Sequence, residues 1–391
     1  MLHDTCSRGA GGTQAAAGTS LTRGLSTVHY ILSGSFKQTA LYLLAFDPTA
    51  RRLSLVRDIE AFGPHQYLAL NADRSKAYAT TWALPPSLSA WDVQYPVEEP
   101  LGPPDIAFLN TAPITATSSY ITIQDDLATS AGGPTGEVHR LRADGGFGDK
   151  LQQVTFVAED QLEKEDKTRV ALRYGSHAVE YTKQGKAFIP HLGHNSIWMY
   201  QKQNDGTLEL LDEVKSPREH DGPRHCIPSP DGKYLYSVTE HTQYLDAFEI
   251  QDKSLRYLNS QPLIPYGADA SLYRGDTLRM SLAGDYLFAT TRGGKSSTKG
   301  ILSVYPVQRD GTLAPAATRW ATPTSGGKAN AIELSPFMPE QGKQWIVLTD
   351  DEIGLVLILE WDAAAQSLTE VDRLQLPGGP EASSSHAVWL S

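Results

Sequence analysis

His177, Arg224, Arg292 and Glu240 are residue types that together can hold a carboxylate and move a proton. Guanidinium groups grip carboxylates in a bidentate fork, and imidazole titrates near neutrality. Spacing is what links these four. The strand Lys233-Tyr-Leu-Tyr-Ser-Val reappears as Asp285-Tyr-Leu-Phe-Ala-Thr, and more weakly as Lys186-Ala-Phe-Ile-Pro and Lys76-Ala-Tyr-Ala-Thr. Nine residues before the openings at 186, 233 and 285 stand His177, Arg224 and Asp276. Seven residues after those at 233, 285 and 343 stand Glu240, Arg292 and Asp350. In an antiparallel pair the start of one strand and the end of the next share a sheet edge. The pattern therefore predicts one face bearing a histidine, two arginines and several carboxylates.

Such a repeat requires repeated sheets. The chain divides into four-stranded units of roughly 40 to 50 residues, a period typical of propeller blades. The clearest unit is 222–262, with Arg224-His-Cys-Ile-Pro as its inner strand and Ser229-Pro-Asp-Gly as a turn that Pro and Gly favour. Others run from His65 to about 100, 107 to about 157, 177–215, 276–320 and 329–376. A seventh is split: strands from Tyr30, Ala40 and Arg52 at one end, and His386-Ala-Val-Trp-Leu as the inner strand from the other. Closing the ring from both termini leaves no open edge. The expectation is an all-β, seven-bladed β-propeller over 28–391, with residues 1–27 as a flexible tail. Inner strands line the central channel, so the four residues meet at its mouth. His65, His386 and Lys328 stand near the same rim, and with Asp276 and Asn330 they complete the substrate-binding candidates.

Bulk composition narrows the partners. The 391 residues carry a net charge of −11, which argues against nucleic acid but leaves room for a small anion held by a local arginine cluster. No apolar run is long enough to span a membrane. Cys6 falls in the tail and Cys226 in an apolar strand, an unpaired set that fits a reducing compartment. A cytoplasmic location is expected. The Ser- and Ala-rich residues 1–27 make a mitochondrial presequence the minor alternative. Homo-oligomerisation stays open.

Each candidate also has a plain explanation. A strand-start histidine is often only hydrogen-bonded, and an Arg–Glu pair at matching blade positions can be a simple inter-blade ion pair. Convergence of all four favours a site. His191-Leu-Gly-His194 offers two metal-type ligands, but three residues along a strand or loop do not converge and no third ligand is spaced to join them. Residues 125–150 read as a long loop, and the charge run 158–169 as a solvated face.

At these residues the chain resembles the fungal 3-carboxy-cis,cis-muconate lactonizing enzymes, within the wider lactonase group of propellers. The likeness is strongest over 175–391. It rests on Gly175-Ser-His177, Gly222-Pro-Arg224, Pro230-Asp-Gly-Lys-Tyr-Leu-Tyr with Glu240, Leu272-Tyr-Arg-Gly-Asp276, Gly284-Asp-Tyr-Leu-Phe-Ala-Thr-Thr-Arg292, Pro323-Thr-Ser-Gly-Gly327 with Asn330, and Thr349-Asp-Asp351. The resemblance implies catalytic roles for His177, Arg224, Arg292 and Glu240. It also implies neither metal nor organic cofactor, and a cycloisomerase acting on an anionic polycarboxylate in aromatic-acid catabolism. Either His177 or Glu240 could deliver the proton. Residues 110–135, rich in Ser, Thr and Gly, depart from the family's aromatic segment. A sugar lactonase of the 6-phosphogluconolactonase type and a non-catalytic interaction propeller remain the alternatives.

Overall fold

The computed structural model describes residues 28–96, 102–337 and 342–391. The expected tail over 1–27 lies outside them. Among the described residues the strands form seven four-stranded antiparallel sheets, the blades of a β-propeller. Blade 1 combines His29–Ser35, Ala40–Asp47 and Arg52–Glu60 with an inner strand from the C-terminus, Ser384–Trp389. Blades 2 to 7 then begin at His65, Tyr120, Glu180, Pro223, Tyr273 and Ile332.

Hydrophobic runs explain why these strands stack face to face. Leu355–Asp362 reads Leu-Val-Leu-Ile-Leu-Glu-Trp-Asp and is buried at all but its last position. A strand covered on both faces needs no polar alternation. Trp361 fills the seam between blades 6 and 7, edge-on to Phe288 and Tyr286 at 6.0 and 5.3 Å.

The repeat has a local cause in its turns. Ser229 Oγ donates to Asp231 and accepts from the Tyr234 amide at 3.0 Å, with Gly232 at φ +72°. Blade 6 repeats the device: Ser281 Oγ donates to Asp285 and accepts from the Tyr286 amide at 3.0 Å, with Gly284 at φ +75°. Turns of equal length, differing only in which Asp the serine reaches, give equal offsets between the start of an inner strand and the opening of the next.

Two expectations need correction. Residues 125–150 are not a loop. They supply Leu127–Gly132 and Thr135–Leu141, two buried central strands of blade 3, and the start of its outer strand Phe147–Thr155. Their small side chains hid them. A Cβ at Gly132 would lie 2.4 Å from Ser118 Cα, so the sheet demands glycine where β-propensity disfavours it. The second correction is a boundary: Asp105–Pro113 is the outer strand of blade 2, not the start of blade 3.

The C-terminal strand closes the ring through the pairs Ile31↔Trp389, Leu32↔Val388 and Ser33↔Ala387. Trp389 is 2% exposed, meets Phe46 edge-on at 6.1 Å, and donates its indole N–H to Glu333 O at 3.1 Å. Trp389→Ala should cost about 3–5 kcal/mol, read from the urea midpoint. A loss under about 1 kcal/mol would show that closure does not depend on this side chain.

Candidate active site at the channel mouth

The chemistry-bearing residues sit where inner strands bulge. In blade 5 the register jumps from Pro223↔Thr239 to His225↔Val238, leaving Arg224 outside the ladder. In blade 6 Asp276 and Thr277 together oppose one residue of the neighbouring strand, and in blade 2 Gln66 and Tyr67 do the same. Blade 1 does so with Ser385 and His386. A bulge adds a residue and re-aims its side chain. All seven of these residues line one cavity of about 610 Å³ at the channel mouth. Threonines on the partner strands compensate for broken ladder bonds. Thr80 Oγ1 accepts the Tyr67 amide at 3.2 Å, and Thr290 Oγ1 the Thr277 amide at 3.0 Å.

At the centre is a charge cluster. Arg224 Nη1 donates to Asp276 O at 2.6 Å, its Nη2 lies 2.8 Å from Asp276 Oδ1, and its Nε lies 3.1 Å from Glu240. Arg292 Nη1 donates to Lys328 O at 2.9 Å and Nη2 to Glu240 at 3.3 Å. Arg274, from the same blade, reaches Glu240 at 3.5 Å. Blades 5 and 6 can approach this closely because Gly275 has no side chain; a Cβ there would meet Thr239 O at 2.0 Å. Several of the ion-pair contacts are close but poorly aligned. The buried Nε atoms of Arg224 and Arg292, Asp276 Oδ1 and His177 Nδ1 accordingly have no hydrogen-bond partner. Buried polar groups are ordinarily satisfied. Here the residues that carry them line one cavity.

His177 precedes the inner strand of blade 4. Its amide donates to Pro190 O at 3.1 Å and its carbonyl accepts from Ser119 Oγ at 2.7 Å. Burial, then the nearby charges of Arg224 and Arg292, hold its pKa well below the ordinary imidazole range. Both effects favour the neutral ring.

The channel does not run through at this level. Tyr67 is stacked between Tyr120 and His386, with ring centroids 3.9 and 4.0 Å away, and forms a floor. Below it Arg279 pairs with Glu333 at 2.7 Å, and Tyr120 donates to Glu180, whose carboxyl burial pushes up to about 7. A closed floor excludes water and strengthens electrostatic interactions above it.

The residue types and spacing thus converge as expected for His177, Arg224, Glu240, Asp276, Arg292, Lys328 and His386, all on the cavity wall. Three others do not arrive. Asn330 is wholly buried behind the wall, where its amide donates to Asp276 Oδ2 at 2.7 Å. His65 is also fully buried, with Nδ1 3.1 Å from Thr80 O and Nε2 accepting from the Phe62 amide. Asp350 turns to Thr324 instead. Neither Asn330 nor His65 can touch a substrate directly. His191 accepts the His194 amide at 3.0 Å, and among the described residues no three His, Cys, Asp or Glu side chains are grouped to hold a metal.

Sequence reasoning missed Tyr67, Ser119, His225, Arg274, Arg169 and Arg173 on the wall. Tyr67 was accessible, because it stands nine residues before Lys76. His65 drew notice only as a histidine.

The family model described as "Lactonase, 7-bladed beta-propeller" matches residues 30–372. The chain belongs to the seven-bladed β-propeller lactonase family. Within this family, muconate cycloisomerase 1 of Cutaneotrichosporon cutaneum is 32% identical over 93% of this chain and 99% of its own length. Carboxy-cis,cis-muconate cyclase of Neurospora crassa is 30% identical over 47% of this chain and 51% of that protein. The periplasmic gluconolactonase of Pseudomonas aeruginosa shares the fold, at TM-score 0.75 and 17% identity, over 93% of this chain and 99% of that one.

This lactonase-family site is rich in buried neutral histidines. Burial lowers the pKa of His65 to about 4, and holds His177, His225 and His386 well below the ordinary range. Their folded pKa values lie beneath the unfolded ones, so their stabilisation is complete above about pH 6.5 and is lost as pH falls below it. Each contributes a slope of up to ~1.4 kcal/mol per pH unit. Glu180 acts oppositely, since its raised pKa contributes stability at low pH that is lost as pH rises through 7. Four groups against one predict that the unfolding free energy drops by several kcal/mol from pH 7 to 5.5. A flat urea-midpoint profile across that interval would mean that these rings carry protons in the folded state.

Proposed function

We propose that the protein is a cycloisomerase that closes 3-carboxy-cis,cis-muconate to its muconolactone. The observation that carries this reading is the unfinished polar cluster. Arg224 Nε and Arg292 Nε lie 3.1 and 3.3 Å from carboxylates without an aligned hydrogen bond, and His177 Nδ1 has no hydrogen-bond partner, all in residues that line the cavity. A conjugated carboxylate together with a carbon that needs a proton would complete it. Likeness to a muconate cycloisomerase along nearly its whole length supports the same reaction class.

In this reaction a substrate carboxylate oxygen forms a C–O bond to one carbon of a double bond. The π pair moves to the adjacent carbon and into its conjugated carboxylate as an enediolate. That carbon then takes a proton, so each turnover consumes one. Arg224 and Arg292 stabilise the enediolate, because preorganised donors act most strongly where charge develops. Glu240 faces Arg224, Arg274 and Arg292. A carboxylate so engaged suits the role of counter-ion that orients the guanidiniums, which leaves proton transfer to His177. Burial is the larger cause of the lowered His177 pKa, and substrate carboxylates would offset the smaller contribution of Arg224 and Arg292, favouring uptake from solvent of the proton that His177 delivers.

One observation favours a second reading. A phosphorylated sugar lactone needs more rim cations than Arg224, Arg292 and Lys328, and the cavity adds Arg169, Arg173 and Arg274. Release of acid from 6-phosphogluconolactone, with no loss of muconate absorbance, would decide for hydrolysis.

His177→Ala should lower kcat for the carboxymuconate by about 10²–10⁴ with little change in KM, followed as loss of diene ultraviolet absorption. Near-normal turnover would remove His177 from the proton step. Arg292→Lys keeps the charge but loses the fork, and should worsen both kcat and KM. An unchanged kcat in that variant would limit Arg292 to ground-state binding.

A further inference from the structure

The segment between blades 3 and 4 is more than a solvated charge run. Glu159–Lys164 and Arg169–Arg173 are short 3₁₀ turns in a strap that reaches the cavity. It is pinned at both ends. The Thr117 amide donates to Lys167 O at 2.9 Å, and Gly133 and Ser176 exchange backbone hydrogen bonds at 3.1 and 2.9 Å. Ala171 and Leu172 are buried, whereas Arg169 and Arg173 are exposed on the cavity side. Arg169 lies 5.5 Å over the ring of Trp82 from blade 2, so the strap reaches past blade 3 along the mouth. Neither the Arg169 nor the Arg173 side chain makes a hydrogen bond or ion pair with the described residues, although Lys167 in the same strap pairs with Glu163.

Charge on the cavity wall is unbalanced. Arg169, Arg173, Arg224, Arg274, Arg292 and Lys328 face it, against the carboxylates of Glu240 and Asp276. Asp351, behind the wall, answers Lys328 at 3.4 Å. Three positive charges remain, and two of them are on the strap.

We propose that Arg169 and Arg173 bind the carboxylate that distinguishes a tricarboxylate from a dicarboxylate substrate, which makes the strap the selector for a trianion. This rests on the cycloisomerase reading, in which Arg224 and Arg292 are occupied at the reacting end. A remote carboxylate is held equally before and during ring closure, so its loss appears in KM and not in kcat.

The test compares wild type with Arg169→Gln/Arg173→Gln on 3-carboxy-cis,cis-muconate and on cis,cis-muconate. Both positions are exposed, and folding is checked by the urea midpoint. The expected result is a kcat/KM lower by about 10-fold or more on the tricarboxylate, carried by KM, with less than about 3-fold change on the dicarboxylate. Arg169→Lys/Arg173→Lys should recover part of the loss. Equal losses on both substrates, or none on either, would overturn the proposal. If wild type turns over neither muconate, the cycloisomerase reading fails by itself. Calorimetric titration with tricarballylate and with glutarate then still tests the strap. A wild-type preference for the tricarboxylate that the double Gln variant loses supports it, and no wild-type preference overturns it.

Discussion

Enclosing a guanidinium in protein is the constraint from which the rest of this structure follows. Arg224 is 6% exposed, and removing such an ion from water costs several kcal/mol unless other charges answer it. Glu240 from its own blade and Asp276 from the next provide that answer. Asp276 needs anchoring in turn, and the Asn330 amide of the segment entering blade 7 supplies it. Arg292 ties the same pair of carboxylates to the Lys328 carbonyl. One buried charge thereby makes three consecutive blades interdependent. The cluster is nearly neutral in sum but imperfect in alignment, and the imperfection leaves donors without hydrogen bonds in residues that line the cavity.

Placing those groups required breaking the sheet in a controlled way. A regular strand would send alternate residues into the seams between blades, where only apolar side chains fit. The bulges at Tyr67, Arg224, Asp276 and His386 add a residue just where the inner strands reach the mouth. Ladder bonds lost there are replaced by threonine hydroxyls from the next strand. The polar site and the apolar seams can therefore coexist within six-residue strands.

The sequence disclosed the ring and the catalytic centre for a physical reason. Matching Ser-containing turns in blades 5 and 6 keep constant the distance from bulge to strand opening, so a simple offset found Arg224 and Asp276, and a Thr182 turn of related geometry gives His177 the same offset. The same offset misses what regular strands do not carry. The strap arginines lie in a connection with its own geometry, and their charge run looks like any solvated surface. Blade 3 was obscured differently, because its buried strand Leu127–Gly132 is built mainly of small side chains, and close backbone approach excludes any side chain at Gly132. Asn330 and His65 show the opposite failure. Their residue types suggested ligand contact, yet one braces Asp276 through its backbone and the other ties strand ends together.

The strand that closes the ring is made after every other described strand of the propeller. Ser385 and His386 line the cavity, and His386 supports the Tyr67 floor from a segment only a few residues from the C-terminus. During synthesis the other six blades emerge with this position still empty, and domains complete their folding only when the whole unit is available. The nascent chain therefore holds most of the arginine–carboxylate cluster while lacking a wall and part of the floor of its cavity. Ring closure and completion of the site depend on the same strand, so a chain that stops before Ser384 loses part of the cavity wall together with the inner strand of blade 1.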